Sequence, residues 1–138
     1  MKGFTLIETL IAIGIFTIIS MGIYFSYSNV LDVIVSSQVN SAALSVADNE
    51  LEVIRGMEYG NVGIQGGSPS GVLLAEKTVE QSGMPFLVKT FVQNIDDLFD
   101  GLSGSDPTPA DYKLVEIELS CSSCARFAVR KITTQIAP

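Results

Sequence analysis

Histidine and tryptophan are absent from this sequence, and only two of its 138 residues are cysteine. Without histidine the chain lacks the commonest general base and the commonest metal ligand. Two cysteines with no histidine cannot complete a four-ligand zinc site. Cations are also scarce: eight Lys and Arg stand against fifteen Asp and Glu, for a formal net charge of −7. The eight are scattered, so no basic patch exists to neutralise phosphates, and direct nucleic-acid binding is not expected. No nucleophile–base pairing stands out. The glycine-rich stretch at residues 63–71 lacks the lysine and following helix of a phosphate-binding loop. The composition therefore predicts no enzyme, no catalytic residue and no cofactor.

Charge is missing most completely at the front. Between Glu8 and Asp32 no charged residue occurs, a run of 23 positions. The whole chain is 47% hydrophobic with mean hydropathy +0.40, and this run holds the excess. It contains no proline and is long enough to cross a bilayer, which takes roughly 20 apolar residues in a helix. Gly14 and Gly22 are small positions of the kind that let helices approach closely. A secretory signal peptide and a plain single-span anchor are two ways to read such a run. Signal-peptide apolar regions are shorter, about 7–15 residues, and end at a small-residue cleavage site.

The peptide in front of the run supports a third reading. Met1-Lys2-Gly3-Phe4-Thr5-Leu6-Ile7-Glu8 resembles the cleavage and methylation signal of type IV prepilins: a short basic leader ending in Gly, then Phe-Thr-Leu-Ile-Glu, then an apolar helix. The resemblance implies that a prepilin peptidase/methyltransferase cuts between Gly3 and Phe4 and methylates the new amino terminus on Phe4. It also implies that Glu8 meets the N-terminal amine of a neighbouring subunit and sets the axial register of the filament. Elementary electrostatics agrees. A carboxylate at the edge of an apolar span is costly when unpaired, and in the first helical turn it complements the helix dipole. Lys2 is the only cation near the first end of the span, which favours a cytoplasmic N-terminus.

Beyond Leu31 the helical pattern continues. Val35, Val39, Ala42 and Val46 form one apolar stripe, and Val39, Ala43, Ala47, Leu51 and Ile54 an adjoining one. A helix from about residue 4 to residue 55 follows, amphipathic in its second half, with Gly56 as its stop. Residues 56–71 read as loop. Strand-like runs follow at 72–80, 86–95, 112–120 and 125–136. Residues 81–85 connect the first pair, and Phe127, Val129 and Ile132 are the inward candidates of the last run. The expected fold is α+β: a long N-terminal helix packed on a small antiparallel sheet, as the resemblance to pilins also implies. The expected divisions are a leader at 1–3, a transmembrane and polymerisation half-helix at 4–31, an amphipathic half-helix at 32–56 and a β-rich head at 57–138.

Two constellations remain. Cys121-Ser122-Ser123-Cys124 lies between strands, where a redox CxxC would need a helix N-terminus. It reads as a tight hairpin that an oxidising extracytoplasmic space would close with a disulfide, with free thiols as the alternative. Residues 96–111 are acidic, and Asp96, Asp97 and Asp100 form a weak calcium candidate beside the plain reading of a solvated turn. Glu50, Glu52, Glu58 and Arg55 read as a charged helix face.

The expected function is mechanical. The chain resembles a minor pilin of the pilus-modification type, with a pseudopilin of a type II secretion or competence system as the alternative. The implied partners are other pilin subunits, the prepilin peptidase, an inner-membrane assembly platform, and membrane lipid before assembly. The implied location is the inner membrane with the head outside, then an extracellular filament.

Overall fold

A computed structural model describes residues 3, 5–96, 111–124 and 127–138. A single α-helix, α1 (Leu6–Arg55), is followed by a 3₁₀ turn (Tyr59–Asn61) and four strands: β1 (Glu76–Gln81), β2 (Met84–Ile95), β3 (Tyr112–Ser120) and β4 (Arg130–Ile136). The strands form one antiparallel meander in the order β1-β2-β3-β4. This is the α+β arrangement expected from the two periodicities. The chain divides into two compact units at residues 1–38 and 39–138.

In the second unit, helix and sheet share one core. Val39, Ala42, Ala43, Val46, Ala47, Leu51 and Ile54 are the buried residues of α1. They meet Phe86, Val88, Val92, Val115, Ile117 and Leu119 from the inner face of the sheet. The helical stripe is rich in alanine, so the helix backbone can lie close to the sheet. Arg55 fastens the end of the helix, donating from Nε and Nη2 to the Thr134 hydroxyl at 3.2 and 3.1 Å. Glu50 pairs with Lys77 of β1 at 2.6 Å.

Several sequence expectations shift here. β1 begins at Glu76 and not at residue 72, because residues 62–75 form a compact loop. The β1–β2 connection is two residues and not five. Ser82 and Gly83 both take positive φ (54° and 74°), which lets a tight turn match the strand twist. Met84 and Pro85 therefore belong to β2. Val129, expected to face inward, is 53% exposed, because β4 starts only at Arg130. Phe127 does reach the core, edge-on to Phe86 at 5.8 Å between ring centres.

The loop depends on two glycines. Val72 N–H bonds to Asn61 O at 3.0 Å and Leu73 N–H to Gly63 O at 2.9 Å, which draws the two loop arms together. A Cβ on Gly71 would collide with the Gly63 amide, and one on Gly63 would lie 2.5 Å from the Ser70 carbonyl oxygen. Backbone collisions are not relieved by side-chain rotation. Gly71→Ala should cost about 2–3 kcal/mol in a denaturant titration of the detergent-solubilised full chain. A loss under about 0.5 kcal/mol would mean the arms can part freely.

Candidate functional site: the N-terminal helix and its head

The motif residues sit at and before the start of α1. Gly3 is exposed, while Met1, Lys2 and Phe4 lie outside the described residues. Thr5 opens the helix. Its carbonyl accepts from Glu8 N–H at 3.1 Å and Thr9 N–H at 3.3 Å, and its hydroxyl accepts from Glu8 N–H at 3.4 Å. This is N-capping by a Thr-x-x-Glu pattern, which satisfies amides that would otherwise point unpaired into an apolar medium. The sequence reading passed over Thr5, although the three-residue Thr–Glu spacing is the signal that reveals it.

Glu8 occupies the first turn, exposed, where a negative charge complements the helix dipole. Among the described residues no cation lies within ion-pair distance of it. After it comes a surface of bare hydrocarbon: Ile11 is 56% exposed, Phe16 73%, Ile19 55% and Ile23 65%. This apolar part of α1 is unburied among the described residues, and the helix is long and apolar enough to cross a membrane. Three hydroxyls in this stretch bond back to helix carbonyls. Thr9 donates to Leu6 O at 2.8 Å, Thr17 to Ile13 O at 2.8 Å, and Ser28 to Tyr24 O at 3.1 Å. A lipid or a packed helix bundle offers no water to replace such bonds.

On the head, Cys121 and Cys124 are joined by a disulfide. It does not span a two-residue hairpin as expected. The register pairs Leu119 with Arg130, so the bridge closes a turn inside a longer connection. Of the calcium candidates, Asp97 and Asp100 lie outside the described residues. Among the described residues no cluster of three acidic, cysteine or histidine side chains suits a metal. Asp111 N–H bonds to Ile95 O at 3.0 Å, closing the base of the acidic loop. Of the charged helix-face residues, Glu50 and Arg55 serve the internal contacts above, while Glu52 and Glu58 are exposed.

A residue the sequence reading left unassigned is Lys113. It is 6% exposed, on the same face of β3 as Val115, Ile117 and Leu119. Its ammonium donates to Tyr59 O at 2.7 Å and Val62 O at 2.6 Å and lies 4.5 Å from the centre of the Tyr59 ring. It binds the chain leaving the helix to the start of β3. On the solvent face Lys131 bridges Glu116 at 2.8 Å and Glu118 at 3.2 Å. The hydrogen bond to Glu116, then that to Glu118, raises its pKa above the ordinary lysine value, so it stays charged through neutral pH.

A bare apolar helix that continues into an amphipathic half packed on a four-stranded antiparallel sheet is the α+β architecture of the type IV pilins. Residues 1–24 match the family described as "Prokaryotic N-terminal methylation motif". This match supports a type IV prepilin-like reading of the chain. No curated protein and no solved structure matches it. The motif implies processing by a prepilin peptidase and assembly with other pilins, and the apolar helix suits an inner-membrane anchor.

Proposed function

We propose that this chain is a structural subunit of a type IV pilus, of the minor-pilin kind, and that it catalyses no reaction. The observation that carries the proposal is the methylation motif heading a helix whose apolar surface has no cover in the isolated chain. The absence of proline from residues 9–31 supports a minor over a major subunit. In the proposed cycle the helix is held in the inner membrane, the leader is cut after Gly3, and Phe4 is N-methylated. The Glu8 carboxylate then meets the amine of an adjacent subunit. Burying the former membrane surface against other helices drives assembly, since hydrocarbon leaving lipid or water for a packed bundle gains dispersion contacts and excludes solvent. A type II secretion or competence pseudopilin shares these steps. It differs in the destination of the chain, which remains in the cell envelope and is not recovered from sheared surface filaments.

Intact-mass and N-terminal analysis of the membrane-extracted protein tests the processing step. The expected first residue is N-methyl-Phe4. Recovery of a chain that keeps Met1, or one cut inside residues 32–47 after a small residue, would overturn the assignment.

A further inference from the structure

Among the described residues no further strand pairs with either edge of the sheet, and the two edges match each other. No backbone hydrogen bond beyond the sheet's own ladders involves residues 76–81 or 130–136 among the described residues. Such edges invite another strand. The tight turn at Ser82-Gly83 closes on the Gln81–Met84 pair, so odd-numbered residues of β1 bond to β2. Ala75, whose carbonyl accepts from Thr90 N–H at 2.9 Å, keeps the same parity. Glu76, Thr78 and Glu80 therefore turn their N–H and C=O groups outward. Each strand bonds one neighbour through alternate residues and the other through the rest. Carried across the registers of β2, β3 and β4, this rule leaves Lys131, Thr133 and Gln135 facing outward at the far edge.

We propose that β4 of one copy of this chain pairs antiparallel with β1 of a second copy, continuing the sheet from head to head, with Thr133 opposite Thr78. Direction, parity and side chains support this register. In a four-stranded meander β1 and β4 run oppositely, so two copies inserted the same way into one membrane present them antiparallel. The register sets all three outward-facing residues of β4 against the three of β1, and it overlaps every residue of β1 with β4. On the solvent face Thr78 meets Thr133, and Glu80 meets Lys131. On the helix side the half-buried Val79 meets the half-buried Ile132, and Gln81 meets Arg130, so no like charges oppose. Lys131 already serves Glu116 and Glu118, which makes its pair the weakest of these; the backbone ladder and the Val79–Ile132 contact carry the joint. Because the contact is head to tail it does not stop at a pair of copies, and it can propagate as a filament lattice requires.

This inference goes beyond the pilus assignment and needs only copies that share a direction, so it is testable before any filament forms. The full chain carrying both Thr78→Cys and Thr133→Cys is overproduced in a host without pilus machinery, and isolated membranes are treated with a mild oxidant. Within one chain Thr78 is level with Ser120 of β3 and Thr133 with Glu116, so the two positions lie three strand spacings apart and four residues offset along the strands, about 20 Å, too far for a disulfide. Opposed across the proposed joint they lie about 5.5 Å apart, within reach. The expected result is a ladder of multimers on non-reducing gels, with each single variant stopping at dimers. The native Cys121–Cys124 bridge leaves no competing thiol. Absence of the ladder overturns the proposal. So does a ladder from Thr78→Cys with Val129→Cys in its place, which would mark a register four residues away. So does Thr133→Cys alone giving as much product as the pair, which would mark a β4–β4 contact.

Discussion

Replacing Glu8 with leucine should leave membrane insertion intact and abolish entry into filaments. The substitution makes the span more apolar, so the lipid-held chain is at least as stable as before. In the proposed filament, Glu8 neutralises the amine of a neighbouring subunit away from water. Removing one partner of a buried pair leaves the other charge uncompensated, at about 3–5 kcal/mol. At about 1.4 kcal/mol per tenfold, this weakens each subunit contact by a factor of hundreds or more. Glu8→Gln keeps a hydrogen-bonding group without the charge and should fall between leucine and the native residue. The readout is the ratio of variant protein in sheared filaments to that in membranes. A native ratio for Glu8→Leu would remove the carboxylate from the assembly mechanism. The Thr5 cap predicts a separable effect: it secures the first turn of the helix, and Glu8 can act at a fixed height only if that turn is formed.

Lys113→Met should be the most damaging single change in the head among buried polar positions. The substitution keeps most of the side-chain volume and removes the ammonium that serves two carbonyls, at Tyr59 and Val62. Hydrogen bonds from a charged donor contribute about 1.5–3 kcal/mol each, and an unsatisfied buried acceptor costs about 1–3 kcal/mol. Loss of the ring contact to Tyr59 adds a smaller term. The total, about 3–5 kcal/mol, corresponds to a fall of at least 10 °C in the unfolding midpoint of a domain this size. Hydrogen exchange should rise first at residues 59–73, which lose their anchor on β3. A midpoint within about 3 °C of the native chain would show that the two carbonyls find other donors, and the anchoring role would fall.

The two sites differ in how legible they were. Glu8 could be read because its signal is contiguous: eight residues of motif followed by a run with no charge. The amphipathic stripe from Val39 to Ile54 and the alternation of Val115, Ile117 and Leu119 were also local, and the core uses them as spaced. Lys113 continues that alternation inward, so a cation stood on a predicted core face. Its partners are backbone carbonyls more than fifty positions earlier, and no side-chain pattern announces a carbonyl. Val129 was misplaced because alternation was extended past the point where β4 loses its partner strand. The hairpin at Ser82-Gly83 was read too long, because which residues take positive φ depends on the register across the turn.

By itself the sequence determined what periodicity and composition control. It set a long helix, apolar then amphipathic, a β-rich head, a processing signal, and the absence of histidine chemistry. Each of these follows from residues within a few turns of one another, where sterics, capping and water exclusion act locally. Tertiary structure alone decided the strand register, the anchoring of the Tyr59–Val62 turn by Lys113, the disulfide's place in a longer connection, and the parity of the two open edges. Those depend on which distant backbone groups come to lie opposite each other, and that is settled only when helix and sheet close over a common core.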